Sequence, residues 1–356
     1  MWDLLPSVRQ LYRLGSRERE VCYTHNKPHE GHPTYAKAGS LNTTIIPQET
    51  SVALISGGKS GEREISLVSG SAVYDALSDA GFSVTQIDPA KKEDLVTLVS
   101  EDFDVAFLAL HGKLGEDGTI QGMLEILGIP YTGPGVWSSA TAIDKPKTKV
   151  IYEQVGVPTP RAILLHSPDQ MPAEDIEREF GSSCVIKAAT EGSALGVYLC
   201  NGREEIESAL KNVFEIDDQA LVETMIQGDE YTVGVLGTED PQVLPVIQII
   251  PINEFYDFES KYAEGGSKHI CPAPLSEELT KKAQNIALLA HKGLECSGVS
   301  RTDLLLDSEG NFYALETNTI PGMTPTSLLP DAARVAGMDF TQLCIALIED
   351  AIAYAR

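Results

Sequence analysis

From residue 50 onward the chain alternates short apolar runs with polar, glycine-bearing breaks. TSVALIS is an apolar run of strand length, GGKSGER a loop, and EISLVSGSAVYDALSDAG carries apolar residues at helical spacing up to Gly81. A second strand (FSVTQID), a short helix and the strand DVAFLAL at 104–110 follow. This succession predicts a parallel sheet with helices on its faces, an α/β layer of Rossmann-like kind. The polar loop HGKLGEDG, the helix TIQGMLEILG and the turn PYTGPG close that unit at residue 135.

Residues 136–221 read as a smaller α+β unit. It holds one helix over WSSATAIDKPKTKVIYEQVG, the strand VIKA, the loop TEGSALGV and a charged helix around EEIESALKNVF. Beyond it, ALVETMI, EYTVGVLG and VLPVIQII alternate in the manner of antiparallel strands. SEELTKKAQNIALLAHKGLE has the pattern of an amphipathic helix, and DSEG joins SRTDLLLD to NFYALETN as a hairpin. The expected organisation is an extension at 1–48 outside the folded core, then units at 49–135, 136–221 and 222–356.

Composition narrows the possible functions. Of the −25 net charge, residues 1–48 contribute six basic against four acidic side chains, leaving 21 basic and 48 acidic in the body, a net of −27. Such a body repels a phosphate backbone, which argues against a nucleic-acid partner. Apolar runs stay below the ~18–20 residues of a membrane span, and the opening MWDLLPSVRQLYRLGSRERE lacks the pattern of a secretory signal. A cytoplasmic protein with no membrane partner is expected. The six cysteines show no CxxC spacing and read as reduced, mostly buried thiols. His25, His29 and His32 in the extension have no nearby cysteine, so a solvated tail suits them better than zinc.

Three glycine-rich stretches compete as phosphate sites. GGKS at 57–60 ends like a P-loop, but Ala53 stands where that loop needs glycine. EGSALGV at 191–197 follows a strand ending near Lys187, so backbone amides could lie over phosphates with a lysine beside them. HGKLGEDGTIQG at 111–122 is partly explained by helix capping around Thr119, which leaves His111 directly after a buried strand. In the hairpin, Asp303 stands on one strand, and Glu316 and Asn318 share a face of the other because side chains alternate with period two. Hard oxygens of this kind suit magnesium beside a nucleotide. Taken alone, they equally suit an exposed hairpin of an acidic protein.

In this order, SVALISGGKSGEREISLVSGSAV, ALHGKLGEDGTIQGMLEILGIPYTGPGVWSSATAIDKPKTK, EGSALGV, FYDFESKY and RTDLLLDSEGNFYALETNTIPGMTPTSLLP resemble the D-alanine:D-alanine ligases of the ATP-grasp superfamily, over residues 50–356. The resemblance implies an N-terminal parallel-sheet domain followed by a two-part ATP-grasp fold. It also implies ATP-dependent joining of two D-alanines through an acyl phosphate, for peptidoglycan precursors. Lys145 and Lys187 match the phosphate lysines, Glu223, Met225 and Ile226 the strand at adenine, and Glu230 the ribose carboxylate. Asp303, Glu316 and Asn318 match the ligands of two magnesium ions, for which manganese can substitute. Arg301 and the Gly322 N–H match the oxyanion donors.

For the substrates, Glu62 matches the anchor of the first ammonium and His111 the imidazole near its carboxylate. Lys261, Ser327 and Leu328 match the groups around the second carboxylate. Ser193 and Tyr262 match a hydrogen-bonded set that ties a lid at about 254–270 to the site. A homodimer is implied as well. Two residues depart from the family pattern: Ala188 stands where proline is usual and Ala194 where a second serine is usual, which implies weaker ATP use. The rival within the class is a ligase making D-alanyl-D-lactate or D-alanyl-D-serine, and the Lys261–Tyr262 pair argues for the dipeptide.

Overall fold

The computed structural model describes residues 45–192, 195–251, 267–324 and 326–355. Its first layer is built from β1 (Ser51–Ile55), α1 (Arg63–Asp79), β2 (Ser83–Ile87), α2 (Lys92–Ser100) and β3 (Val105–Leu108). The strands are parallel in the order β2-β1-β3. Val52 and Leu54 pack into one core with Val73, Leu77 and Phe107, while Ala53 and Ile55 pack into another with Ala106, Leu108 and Leu124. A sheet covered on both faces explains why TSVALIS is continuously apolar. The folded core starts earlier than the expected boundary at 49, because Ile45 already packs against the first of these clusters.

After β3 and its loop come α3 (Thr119–Leu127), α4 (Val136–Ile143) and α5 (Lys145–Val155). The last two occupy the stretch expected as one helix. Asp144 ends α4 in an extended conformation and caps α5, accepting a hydrogen bond from the Lys147 N–H at 3.1 Å, with Pro146 in the first turn where no N–H is needed. The four-stranded sheet follows, from β4 (Ala162–Leu165), α6 (Ala173–Phe180), β5 (Ser183–Ala188), β6 (Val197–Asn201), α7 (Arg203–Val213) and β7 (Ala220–Thr224), antiparallel in the order β4-β7-β5-β6. Residue 221 lies inside β7, so this sheet runs on to Thr224, beyond the expected division.

The third sheet uses β8 (Gly228–Leu236), β9 (Gln242–Val243), β10 (Ile247–Pro251), β11 (Ser267–Ile270), β12 (Val299–Asp307) and β13 (Phe312–Asn318), ordered β11-β10-β8-β12-β13 with β9 on β8. Helix α8 (Glu277–Gly293) packs its Ala283, Ala287 and Ala290 face on this sheet. Ser276 caps it, Glu277 and Glu278 fill its first turn, and His291 and Lys292 its last, each favourable for the helix dipole.

In the hairpin, Asp303 pairs with Glu316 and Leu304 with Ala314, so Leu315 has no partner and forms a bulge. Behind it, the buried Tyr152 hydroxyl lies 2.6 Å from Thr317 Oγ1, which lies 2.9 Å from Thr302 Oγ1. The chain ends in α9 (Leu328–Val335) and α10 (Phe340–Ala353), and α10 returns to cover the first sheet with Leu343, Leu347 and Ile348.

Candidate functional site

Three sets of residues converge where the sheets meet. On the loops after β1 and β3, Ser60 Oγ donates to the His111 carbonyl at 2.6 Å, and the Glu62 carboxylate lies so close to Gly112 that a Cβ there would meet it at 2.5 Å. Gly112 also has φ +70, a conformation that favours glycine. His111, 5% exposed, has Nε2 3.3 Å from Ser69 Oγ and Nδ1 3.8 Å from Glu116 Oε1. Glu116 also accepts the Gly112 N–H at 3.0 Å, and Asp117, not Thr119, serves the start of α3 by accepting the Thr119 N–H.

The turn after β13 reaches the same place. The Met323 N–H points at Ser69 Oγ across 3.4 Å, and a Cβ on Gly322 would meet Ser327 Oγ at 2.8 Å. Ser327 in turn accepts the Thr324 N–H at 3.0 Å, and Leu328 is buried at the start of α9. Thus Glu62, His111, Gly322 and Ser327, far apart in sequence, are linked through Ser60, Gly112 and Ser69.

The lysine wall lies on α5 and β5. Lys145 donates to the Glu191 carbonyl at 2.5 Å and stands 3.7 Å from Glu316. Lys187 pairs with Glu223 at 2.5 Å, and Lys149 pairs with the other oxygen of Glu223 at 2.6 Å. Lys149 donates as well to Thr159 Oγ1 and the Pro160 carbonyl, both at 2.7 Å. Burial by itself would raise the Glu223 carboxyl, but the charges of Lys187 and Lys149 hold it below the usual glutamate value. Burial pulls the Lys149 ammonium down against the attraction of Glu223. Met225 and Ile226 lie in the connection after β7 rather than in the strand, and Glu230 is on β8.

The acid wall is the hairpin. Arg301 stands opposite Asn318 and Asp303 opposite Glu316, so all four share one face. Arg301 holds Asp303 with two parallel bonds of 3.0 and 2.9 Å, and Thr232 Oγ1 donates to Asp303 at 2.6 Å. Asn318 Oδ1 accepts the Ile320 N–H at 2.9 Å. Two carboxylates and an amide oxygen form a hard-donor set, which fits magnesium flanked by phosphate and water. No group of three or more His, Cys, Asp or Glu side chains suited to a metal occurs among the described residues.

Ser193, Lys261 and Tyr262 lie outside the described residues, as does most of the expected lid; its last residues, 267–270, form β11. Several contributors escaped the sequence reading: Lys149, Glu116, and the Lys113–Glu191 pair, 2.5 Å apart, which joins the loop after β3 to the glycine loop. Lys149 had a signal, since Lys145, Thr148, Lys149 and Tyr152 are spaced as one buried helix face.

A lysine-bearing sheet facing an acid-bearing one is the arrangement of ATP-grasp ligases. The family model described as D-ala D-ala ligase C-terminus matches residues 151–349, and that of the N-terminus matches 89–134. The D-alanine--D-alanine ligase of Pelotomaculum thermopropionicum is 44% identical over 305 residues, 84% of this chain and 95% of the relative. Among solved structures, the D-alanine--D-alanine ligase of Bacillus anthracis complexed with ATP aligns with a TM-score of 0.74 at 33% identity, over 85% of this chain and 96% of that one. The VanG D-Ala:D-Ser ligase of Enterococcus faecalis aligns with a TM-score of 0.74 at 30% identity, over 85% and 99%. The chain belongs to the D-alanine–D-alanine ligase family.

Proposed function

We propose that this chain joins two D-alanine molecules into D-alanyl-D-alanine at the expense of ATP, as a step towards peptidoglycan precursors. The observation that carries the reading is the approach of Lys145 to Glu316 across the cleft, which puts cationic and oxygen-donor walls within reach of one nucleotide. Lys145 and Lys187 hold its phosphates, the Glu223–Ile226 segment faces adenine, and Glu230 takes the ribose. Asp303, Glu316 and Asn318 would hold two magnesium ions. When bound, magnesium offsets the charge crowded between phosphate and carboxylate oxygens.

In the first step the carboxylate of one D-alanine attacks the γ-phosphorus, ADP departs, and an acyl phosphate forms. Glu62 anchors that substrate's ammonium, while Ser69 and Glu116 hold the His111 ring near its carboxylate. In the second step the free amine of the other D-alanine attacks the acyl carbon, and phosphate leaves from a tetrahedral oxyanion. Arg301, oriented by its fork on Asp303, and the Gly322 N–H stabilise that oxyanion. Ser327 and Leu328 sit at the second carboxylate, with Lys261 from the lid. Ser193 and Tyr262 tie the lid down, which excludes water from the acyl phosphate. No helix among the described residues is long and apolar enough to cross a membrane, and we place the enzyme in the cytoplasm as a homodimer.

ADP release measured with and without D-alanine, with products separated by mass from an equal mixture of D-alanine, D-lactate and D-serine, tests the reading. Release that depends on D-alanine with the dipeptide dominant is expected. Dominant D-alanyl-D-lactate or D-alanyl-D-serine overturns the substrate, and release indifferent to D-alanine overturns the reaction.

A further inference from the structure

Cys184 on β5 and Cys200 on β6 stand directly opposite one another on adjacent antiparallel strands. Both are enclosed, 0% and 1% exposed, in the core formed with Ile206, Ala209 and Leu210 of α7. Neither belongs to the site described above. The Cys200 thiol donates to the Glu205 carbonyl at 3.6 Å. The neighbouring thiol pulls Cys184 below the usual cysteine range, while Cys184 and burial push the Cys200 thiol above it.

The strand register sets the spacing. The Gly202 N–H bonds the Ser182 carbonyl at 2.7 Å, and the Ala188 N–H bonds the Gly196 carbonyl at 2.9 Å. Hydrogen-bonded pairs recur at every second position, so Cys184 and Cys200 form one of them, with Cα atoms about 5.5 Å apart. That lies inside the ~4.4–6.8 Å window of a disulfide. The Cβ separation of such a pair, towards ~5.5 Å, is longer than the ~3.8 Å of a relaxed bridge. A bond between them must draw the strands together, and a bridge formed under such tension is easily reduced.

We propose that Cys184 and Cys200 are a redox modification site, closing into a reversible cross-strand disulfide when the chain meets a peroxide. The thiolate of one cysteine of the pair attacks one peroxide oxygen, the O–O bond breaks, and with one proton a water leaves, giving a sulfenic acid. The other cysteine's sulfur then attacks that sulfur, the S–O bond breaks, and a second water leaves with the thiol proton. Two thiols lose two electrons and the peroxide is reduced to two waters. Because β6 pairs with β5 alone among the described strands, opening of this edge strand gives a small oxidant its path. Lys187 is three residues from Cys184 on β5 and pairs with Val197 of β6, so drawing the strands together displaces Lys187. The bridge itself is independent of the assigned reaction; its effect on nucleotide use rests on the reading of Lys187.

The test is a hydrogen peroxide titration of the full chain, followed by alkylation of remaining thiols, intact mass and peptide mapping. Expected are the loss of two hydrogens, a linked peptide pair containing Cys184 and Cys200, reversal by glutathione, and a several-fold rise in KM for ATP with KM for D-alanine unchanged. C184A and C200A should each lose the linkage. Oxidation only at other cysteines, or only irreversible oxygen addition at these two, overturns the site. A bridge that leaves KM for ATP unmoved in an active ligase overturns the coupling to Lys187. A bridge formed in a chain without ligase activity supports the redox site and counts against the functional reading instead.

Discussion

On the four-stranded sheet, Glu223 is enclosed between Lys149 and Lys187; on the facing hairpin, Asp303 and Glu316 share a face with Arg301. Counted as formal charges, Lys149 and Lys187 against Glu223 leave one positive charge, to which Lys145 on α5 adds another, and two carboxylates against one arginine leave one negative. The lysine wall is settled before any ligand arrives, since Glu223 holds both ammonium groups in place and Lys149 is further fixed by Thr159 and Pro160. On the acid wall, Asp303 is gripped by Arg301 and Thr232, whereas Glu316 is 3.7 Å from Lys145, a group on another element. One wall holds its positive charge in fixed positions. The other leaves a carboxylate, Glu316, facing a lysine of another element.

Glu316→Gln should have the largest effect, because it keeps the shape of the acid wall and removes its charge. Turnover at saturating magnesium and ATP should fall by orders of magnitude while the melting temperature stays near that of the parent. Turnover near the parent's would show that the hairpin does not need its negative charge. Next comes His291 on α8, behind the hairpin, with Nδ1 2.8 Å from Ser300 Oγ. Burial lowers its pKa from 6.5 to about 4, so between those values the unfolded chain binds a proton that the folded one refuses. Stability should be whole above pH ~6.5 and decline as pH falls towards 4, by about 3 kcal/mol in urea titrations, with His291→Gln flattening that slope.

Lys149→Met tests the lysine wall. With Lys149 gone, Glu223 and Lys187 become a neutral pair, and KM for ATP should rise about tenfold, worth ~1.4 kcal/mol, with a smaller change in kcat; Lys149→Arg should recover most of it. A variant that loses only melting temperature would reduce Lys149 to a packing role. Lys113→Ala removes the contact between the loop after β3 and Glu191, an exposed pair worth ~1 kcal/mol or less, and should raise KM for ATP by a few-fold at most. Deleting residues 1–44 while keeping Ile45 should leave kcat and melting temperature unchanged. A drop of several degrees would add that segment to the core.

The acid wall was the more legible of the two in the sequence. Period two along NFYALETN puts Glu316 and Asn318 on one face without knowledge of anything else in the fold, and DSEG announces the turn. The lysine wall depends on contacts between α5, β5 and β7, whose partners are set by how the helix docks. Lys149 therefore looked like any surface lysine, although its spacing from Thr148 and Tyr152 carried a hint. The break at Asp144 was readable in Asp-Lys-Pro, which is a cap followed by a first-turn proline, and the apolar pattern on either side hid it. The return of α10 to the first sheet has no local signature, because apolar spacing shows that a face is buried and not what buries it.

The bulge in the hairpin divides its second strand by parity. Phe312 and Ala314 are buried, Tyr313 and Leu315 less so, and counting on in twos would assign residue 316 to the inside. Instead Thr317 is the buried one, and Glu316 and Asn318 face the cleft. The inner half of β13 thus answers to the core and the outer half to the cleft, with Leu315 as the extra beat between them. A strand with the same residues but without the bulge would keep every polar atom of the protein, yet it would turn a carboxylate inward and a threonine outward.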